Sequence, residues 1–573
     1  MGKAQGHPRT VGGPSTYRFR TCAGLVLTAI ISASLALLAQ HHRSATVPPR
    51  CSAPLPNLFD RTPLNAGFPG VSLALKNVDR LVEAQYARGG IDGLIVAIVT
   101  RDGAIYERAI GPLKANETDV GKRGHVDRHS IFRLASGSKL FAALETWVLR
   151  ERGALNLDDP VHKFFPDFTY LADGWGGTKD GRMASGPITV RQLASHMSGL
   201  TREFPRGDML HWPHSLEGTG PPPDNGRGFP TTEETIEGLK ILPLNVPTYH
   251  YPVYSNVAMG LLGQVNVAAN KAFEADRHDT PKSWPELAQR DLFDPLGLNG
   301  SSFLVTPENR AHVAVASRLS EEVDYDFLDI MACSGGQMSS LSDYVKLMQT
   351  FLDPTRPESL LPPWVIREWM RPLHGWWADE STEIGMLWEI EKIRDSHNRP
   401  RRIFQKLGTL GASRSAFAIN QDMAHGVAVL MTGTTPINDL VLDIFREMQP
   451  VLDRLLAADA AELYSGAWTP IDGNDKSKLT IKVMDGSLWM TELRLNGTNV
   501  LGVILPTPEP IALWSTGRLH EFRMVFASPS KNCMSSWTAI DDGYSQGHPN
   551  DLVYLTDDGL LHVPSVGTVF ERQ

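Results

Sequence analysis

Residues Ser136-Gly-Ser-Lys139 form a Ser-x-x-Lys run at the opening of an apolar, helix-patterned stretch. Side chains three residues apart on a helix share a face, which puts the amine beside the hydroxyl. A lysine held there and partly desolvated loses its proton near neutral pH and takes the one on the serine. Ser136 then becomes a nucleophile and Lys139 its proton acceptor. The helix start also aims backbone N–H groups at developing negative charge. Taken alone the motif is weak, because a helix-capping role for Ser136 explains it equally well. Ser528-Pro-Ser-Lys531 repeats the spacing. That copy follows an apparent strand, contains a proline and precedes no amphipathic helix, so it reads as a loop.

Two further groups make the first one specific. Of the 12 tyrosines only Tyr254 has an asparagine two residues on, in Tyr254-Ser-Asn256. On an extended loop both side chains face one way. A phenol beside two ammonium groups has a lowered pKa and works as a general base. Asn256 is placed to orient Lys139 and a substrate amide or ester. Phe404-Gln-Lys406-Leu-Gly408-Thr409 reads as a strand whose lysine points at the site and whose glycine lets substrate approach the backbone.

These groups need a scaffold, and the flanking patterns supply one. Val71 to Arg88 has helical spacing and stops at Gly89-Gly90. Leu94 to Val99 is a buried strand, Asp102-Gly103 a hairpin turn and Ala104 to Arg108 its partner. Helices are expected from about Ser136 to Arg152, near Val257 to Ala275 and from Leu341 to Leu352. The Pro/Gly-rich stretch Leu216 to Pro230 is expected to be a long surface loop. Past Ala461 short alternating runs follow: Lys478 to Met484, Ser487 to Leu493, Glu521 to Ala527 and Leu552 to Thr556. They predict a small all-β unit.

The 573 residues carry 55 Lys and Arg against 64 Asp and Glu, a net charge of −9, which argues against a nucleic-acid binder. Apolar residues at 42% and charged residues at 21% match a globular protein. Four cysteines exclude a disulfide-dense scaffold, and the absence of CxxC and HExxH spacing offers no metal site. No cofactor is expected. No acidic residue precedes Asp60, and Lys3, Arg9, Arg18 and Arg20 lead into the uncharged run Ala23 to Ala39. Residues 1–22 are therefore expected to be a cytoplasmic basic N-terminus, 23–39 a signal anchor or signal peptide and 40–67 a linker. Leu37 and Leu38 before Ala39 make a poor cleavage site, which favours a retained single-pass anchor; cleavage would give a secreted protein. Asn116, Asn299 and Asn496 head sequons in turn-like settings. Cys51 and Cys533 are candidates for a disulfide tying the folded ends together, and Cys333 for a buried thiol.

The three motifs, in this order, resemble those of the serine β-lactamase and penicillin-binding superfamily, closest to its class C β-lactamase and esterase branch. Ile188-Thr-Val-Arg-Gln-Leu-Ala-Ser-His-Met-Ser-Gly-Leu200 and Cys333-Ser-Gly-Gly-Gln-Met-Ser-Ser-Leu-Ser-Asp343 are similar to spacer segments of that branch. The resemblance implies an α/β (α+β) β-lactamase/transpeptidase-like fold over 68–456: an antiparallel sheet flanked by helices, beside a helical lobe. The β-rich domain 461–573 looks like the appendix of exported fungal members. Ser136 is implied as nucleophile, Lys139 as acceptor of its proton and Tyr254 as the base that shuttles the proton onward. Asn256 would position substrate, Lys406 would supply positive charge, and the strand at Gly408 would offer the Thr409 N–H, with that of Ser136, as oxyanion hole. His196 and the other histidines are not needed.

Lactamases commonly carry a hydroxyl residue where this chain has Leu407. Losing that donor costs about 1–3 kcal/mol for a ligand built to use it. The substrate expected is accordingly a small molecule with a neutral, apolar ester or thioester. Trp212, Trp364, Trp369, Trp376 and Trp377 are candidates for an aromatic cleft rim, with packing as the alternative. The leading function is an esterase-like serine hydrolase acting through an acyl-enzyme. An acyltransferase passing the acyl group to an alcohol comes next, and a tailoring step in secondary metabolism fits either. A non-catalytic binding or scaffold protein is the third reading.

Overall fold

The computed structural model describes residues 51–59, 61–173, 186–505, 507–528 and 532–573. The expected segments 1–22 and 23–39, the linker up to residue 50 and most of the Ser528–Lys531 copy lie outside them. Among the described residues no helix is long and apolar enough to cross a membrane.

The chain divides into two compact units, Leu55–Leu463 and Tyr464–Gln573, the latter joined by the segment up to Pro54. The larger unit is built on an eight-stranded antiparallel sheet whose strands run, edge to edge, Gly103–Ile110, Ile91–Thr100, His425–Gly433, Ser413–Asn420, Pro400–Leu410, Glu389–Arg394, Thr382–Gly385 and Pro372–Gly375. β1 (Ile91–Thr100) and β2 (Gly103–Ile110) form the hairpin predicted around Asp102-Gly103. β3 (Ile131–Arg133) and β4 (Met338–Ser340) make a separate small pair, β3 coming just before the turn Ala135–Ser138 that carries Ser136. The sheet's far half consists of β5 (Pro372–Gly375), β6 (Thr382–Gly385), β7 (Glu389–Arg394), β8 (Pro400–Leu410), β9 (Ser413–Asn420) and β10 (His425–Gly433). Nine of the ten β1 residues are buried, which is why it reads as a continuous Leu-Ile-Val run rather than an alternating one.

Helices Pro69–Ala87 and Leu341–Leu352 pack on this sheet. Helix Leu341–Leu352 keeps the predicted bounds because Ser340 caps it, accepting from the Asp343 N–H. The helical lobe centres on Lys139–Arg152 against Asn256–Phe273, both largely buried. That burial explains the nearly uninterrupted apolar pattern of the second. Pro450 sits inside the 27-residue helix Asn438–Tyr464, which runs past the expected end of the unit at 456.

The smaller unit is a closed antiparallel barrel. Strands Gly466–Pro470, Lys478–Met484, Ser487–Leu495, Ile511–Ser515, Glu521–Met524, Leu552–Leu555, Leu561–Val563 and Thr568–Arg572 each pair with their neighbours in sequence. The last pairs with the first, so none of these eight has an open edge. Its interior is filled by Trp468, Trp489, Phe522 and Phe570 among others. A disulfide joins Cys51 to Cys533 with their Cα atoms 5.0 Å apart. Cys333 is buried as a free thiol. Asn116, Asn299 and Asn496 are all exposed in turns.

Candidate active site

Ser136 lies in a single 3₁₀ turn, Ala135–Ser138, that leads into the α-helix Lys139–Arg152; the regular helix thus starts three residues later than expected. Ala135 takes φ 49°, a left-handed conformation costing an L-residue about 1–2 kcal/mol. It is held there by packing among Phe327, Ile330, Met331 and Leu410. The turn sits directly on β8. A Cβ on Gly408 would lie 1.9 Å from the Leu134 carbonyl oxygen and 2.4 Å from Ser415 Oγ. Gly408 is therefore a requirement of packing between the nucleophile turn and the strand, not an opening for substrate. Ser415 Oγ donates to the same Leu134 carbonyl at 2.6 Å, which locks the turn from the next strand.

Four predicted residues converge. Ser136 Oγ accepts from Lys139 Nζ at 2.8 Å and from the Tyr254 hydroxyl at 2.7 Å. Lys139 Nζ also donates to the Ser334 carbonyl at 2.6 Å. The Tyr254 ring lies 5.2 Å from Lys139 Nζ and 5.4 Å from Lys406 Nζ, with the Arg202 guanidinium at 5.0 Å. Lys406 Nζ donates to Glu389 Oε1 at 2.5 Å and to the Leu407 carbonyl at 2.8 Å. Glu389 Oε2 accepts the Leu407 N–H at 3.0 Å.

Asn256 corrects two expectations. It opens the helix Asn256–Phe273 behind the Ser255 cap rather than continuing an extended loop. Its amide donates to Glu203 Oε1 at 2.7 Å, while the Ser334 carbonyl is what orients Lys139. Thr409 lines the cleft with Ser136, in register with Arg414 on β9.

Charge and burial oppose one another here. Burial pushes the Lys139 ammonium below its ordinary value, partly offset by Tyr254. Burial alone would raise the Tyr254 phenol, but the ammoniums of Lys139 and Lys406 outweigh it and bring it down. Lys406 goes the other way: burial lowers it, and Glu389 and Tyr254 more than compensate. The same packing thus favours charge on Lys406 and lowers Lys139 and Tyr254, the two titratable groups hydrogen-bonded to Ser136 Oγ.

The cleft has two ends. On one side of Ser136 it is apolar, lined by Ala135, Phe229, Phe327, Met331 and Leu410. On the other it runs past Tyr254 along Arg202, Glu203, Asp224 and Glu389. Pro221, Pro222 and Phe229 belong to the stretch expected as a surface loop, which lacks helix and strand but forms a cleft wall. The tryptophans do not line it. Trp369 is core, packed on Trp147 and Trp388, whereas Trp212, Trp364 and Trp377 are exposed and Trp376 lies half-buried against His374.

Glu389, Glu203 and Ser334 were absent from the sequence reading. Glu389 starts the strand that pairs with the Lys406 strand, at the position opposite Gln405, a placement that no local pattern marks. Among the described residues no group of His, Cys, Asp and Glu could hold a metal ion.

A serine hydrogen-bonded to a helical lysine and a tyrosine, between a helical lobe and an antiparallel sheet, places the chain in the β-lactamase-like serine hydrolase superfamily. The profile of the Beta-lactamase family matches residues 78–449, more than half of the 573, and the chain belongs to that family. It is 56% identical over 304 residues to Beta-lactamase-like protein str6 of Strobilurus tenacellus, covering 51% of this chain and 99% of that protein. With Beta-lactamase-like protein str5 of the same organism it shares 55% over 263 residues, covering 46% of this chain and 92% of that one. A solved beta-lactamase/D-alanine carboxypeptidase from Yersinia pestis superposes with a TM-score of 0.49 at 21% identity, covering 67% of this chain and 98% of that one.

Proposed function

We propose that the protein hydrolyses a neutral ester with an apolar acyl group through a Ser136 acyl-enzyme. The observation that carries this is the double hydrogen bond on Ser136 Oγ, from Lys139 and Tyr254, at the mouth of the apolar pocket. In the first half-reaction Oγ attacks the ester carbonyl carbon while its proton passes to deprotonated Lys139 or Tyr254. Electrons shift to the carbonyl oxygen, which the N–H groups of Ser136 and Thr409 receive. Collapse expels the alkoxide, and Tyr254 supplies its proton. Water then attacks the acyl carbon and gives a proton to Tyr254, the acyl–Oγ bond breaks, and Oγ regains its proton from Lys139 or Tyr254 as the acid leaves, restoring Ser136.

Two features favour a neutral substrate over a carboxylate-bearing one. Leu407 offers no side-chain donor, and the charge of Lys406 is already paired with Glu389. The limb of the cleft beyond Tyr254 favours acyl transfer as the second reading, because a bound alcohol there would take the place of water.

The test is the intact mass of the full chain after brief exposure to p-nitrophenyl acetate and butyrate, beside Ser136→Ala. An acyl adduct on the parent that maps to the Ser136 peptide and is missing from Ser136→Ala is expected. Ester turnover should fall at least ~10³-fold in that variant. Adduct lifetimes in water and in added alcohols separate hydrolase from transferase. Folded parent without adduct and without Ser136-dependent turnover overturns the proposal.

A further inference from the structure

We propose that His196 is the positioning residue of Tyr254, holding the phenol in the gap between Lys139 and Lys406. The inference rests on the reading of Tyr254 as the base. His196 follows the short helix Val190–Ala194 with φ 60°, and its ring is buried and stacked on the Tyr254 ring, centroids 4.6 Å apart and planes 28° from parallel. It grips the chain on both sides of the tyrosine. Its backbone carbonyl accepts the Val253 N–H at 2.9 Å, and its Nδ1 accepts the Ser255 N–H at 3.2 Å. Ser255 in turn caps the helix Asn256–Phe273 through the Ala258 N–H. One residue therefore fixes the backbone before Tyr254, the backbone after it and the plane of its ring.

The Nδ1 bond assigns the neutral tautomer with its hydrogen on Nε2, a buried atom without a hydrogen-bond partner among the described residues. The charged groups acting on the ring are Lys139 from the lobe, Lys406 from β8 and Arg202 from the loop after Leu200; Tyr254 is the titratable group it touches. All three charges are positive. Burial and then these cations hold the imidazole well below its ordinary value, which favours the neutral ring that the Ser255 bond requires. A phenylalanine could preserve the stack but not the bond to Ser255; an asparagine could preserve the bond but not the stack. A tyrosine that drifts from the two ammoniums loses their attraction for its phenolate.

The test is direct titration of Tyr254 in the full chain, as the tyrosinate absorbance of each protein minus that of its Tyr254→Phe counterpart. Its midpoint is expected below that of an ordinary tyrosine in the parent. In His196→Phe and in His196→Asn it should rise by about 0.5 unit or more, with the acid limb of kcat/KM moving the same way. A midpoint unmoved in either folded variant, with only thermal stability lowered, would make His196 a packing residue and overturn the inference. A parent midpoint at the ordinary tyrosine value would remove Tyr254 as base and take the inference with it. The Ser136 adduct experiment would be untouched by that result, so the two failures are distinguishable.

Discussion

Replacing Gly408 with alanine tests whether the nucleophile is positioned by contact between its turn and β8. The added methyl group would stand 1.9 Å from the Leu134 carbonyl oxygen, roughly 1.5 Å inside ordinary contact, and 2.4 Å from Ser415 Oγ. Ser415 Oγ is itself tied to that carbonyl by a 2.6 Å hydrogen bond, so it is not free to swing aside. The carbonyl belongs to the turn backbone, which also accepts the Gly137 N–H at 2.9 Å. Relief has to come from moving the turn, and Ser136 moves with it. A displacement of about 1 Å at a reacting atom costs about 10²-fold in rate, and overpacking of this kind lowers stability by about 1–3 kcal/mol. The assay is kcat/KM for p-nitrophenyl butyrate together with urea denaturation. Gly375→Ala is the control, because nothing lies within 4 Å of its added methyl. Gly408→Ala is expected to lose about 100-fold in kcat/KM while Gly375→Ala stays within a factor of two or so. Wild-type kinetics and stability for Gly408→Ala would refute the argument that packing positions Ser136.

Two further predictions concern stability. Glu145 is fully buried beside the Asp291 carboxylate, and burial first, then that neighbouring charge and its hydrogen bond, push its carboxyl well above the ordinary value. The folded state keeps a proton that the unfolded chain releases above about pH 4.3, so this residue makes stability fall as pH rises from there toward its folded value. Glu145→Gln is expected to flatten that decline, so that the variant gains stability on the parent between pH 5 and pH 8; a parent whose urea midpoint falls no more than the variant's over that interval would sink the assignment. Cys51→Ser removes a bridge spanning a sequence separation of 482 and should lower the stability of the β unit by about 2–4 kcal/mol. Unchanged denaturation, with two additional free thiols in native parent protein, would count against the bridge.

Much of this molecule is legible from local pattern. The hairpin around Asp102-Gly103, the strand Lys478–Met484 and the helix Leu341–Leu352 follow turn chemistry, alternation and capping, each confined to a few neighbouring residues. Boundaries failed where a long-range contact overrode the pattern. The regular helix begins at Lys139 because the preceding turn is pressed into 3₁₀ form against β8, and Asn256 joins a helix because Ser255 caps it. The tryptophans divide for a related reason, Trp369 packing in the core while Trp377 stays exposed 6.2 Å from the Tyr251 ring. Tryptophans 364, 369, 376 and 377 look alike in sequence, yet Trp369 alone of them is fully buried, among Trp147 and Trp388.

By itself the sequence determined the order Ser136-x-x-Lys139, Tyr254-x-Asn256, Lys406-x-Gly408 and the scaffold in which such an order belongs. Only the tertiary structure decided which groups complete the site. Ser136 meets Tyr254 across a sequence separation of 118, and Lys139 meets Ser334 across 195. Glu389 becomes the partner of Lys406 through the register of β7 on β8, and His196 that of Tyr254 through a turn at φ 60°. None of these contacts has a local signature, because side-chain spacing encodes which face of an element is apolar and not what the opposite element brings to it. The charge state of the site follows the same division. Residue types name the groups able to titrate; burial and the nearest charges, both products of packing, raise Lys406 and lower Lys139 and Tyr254.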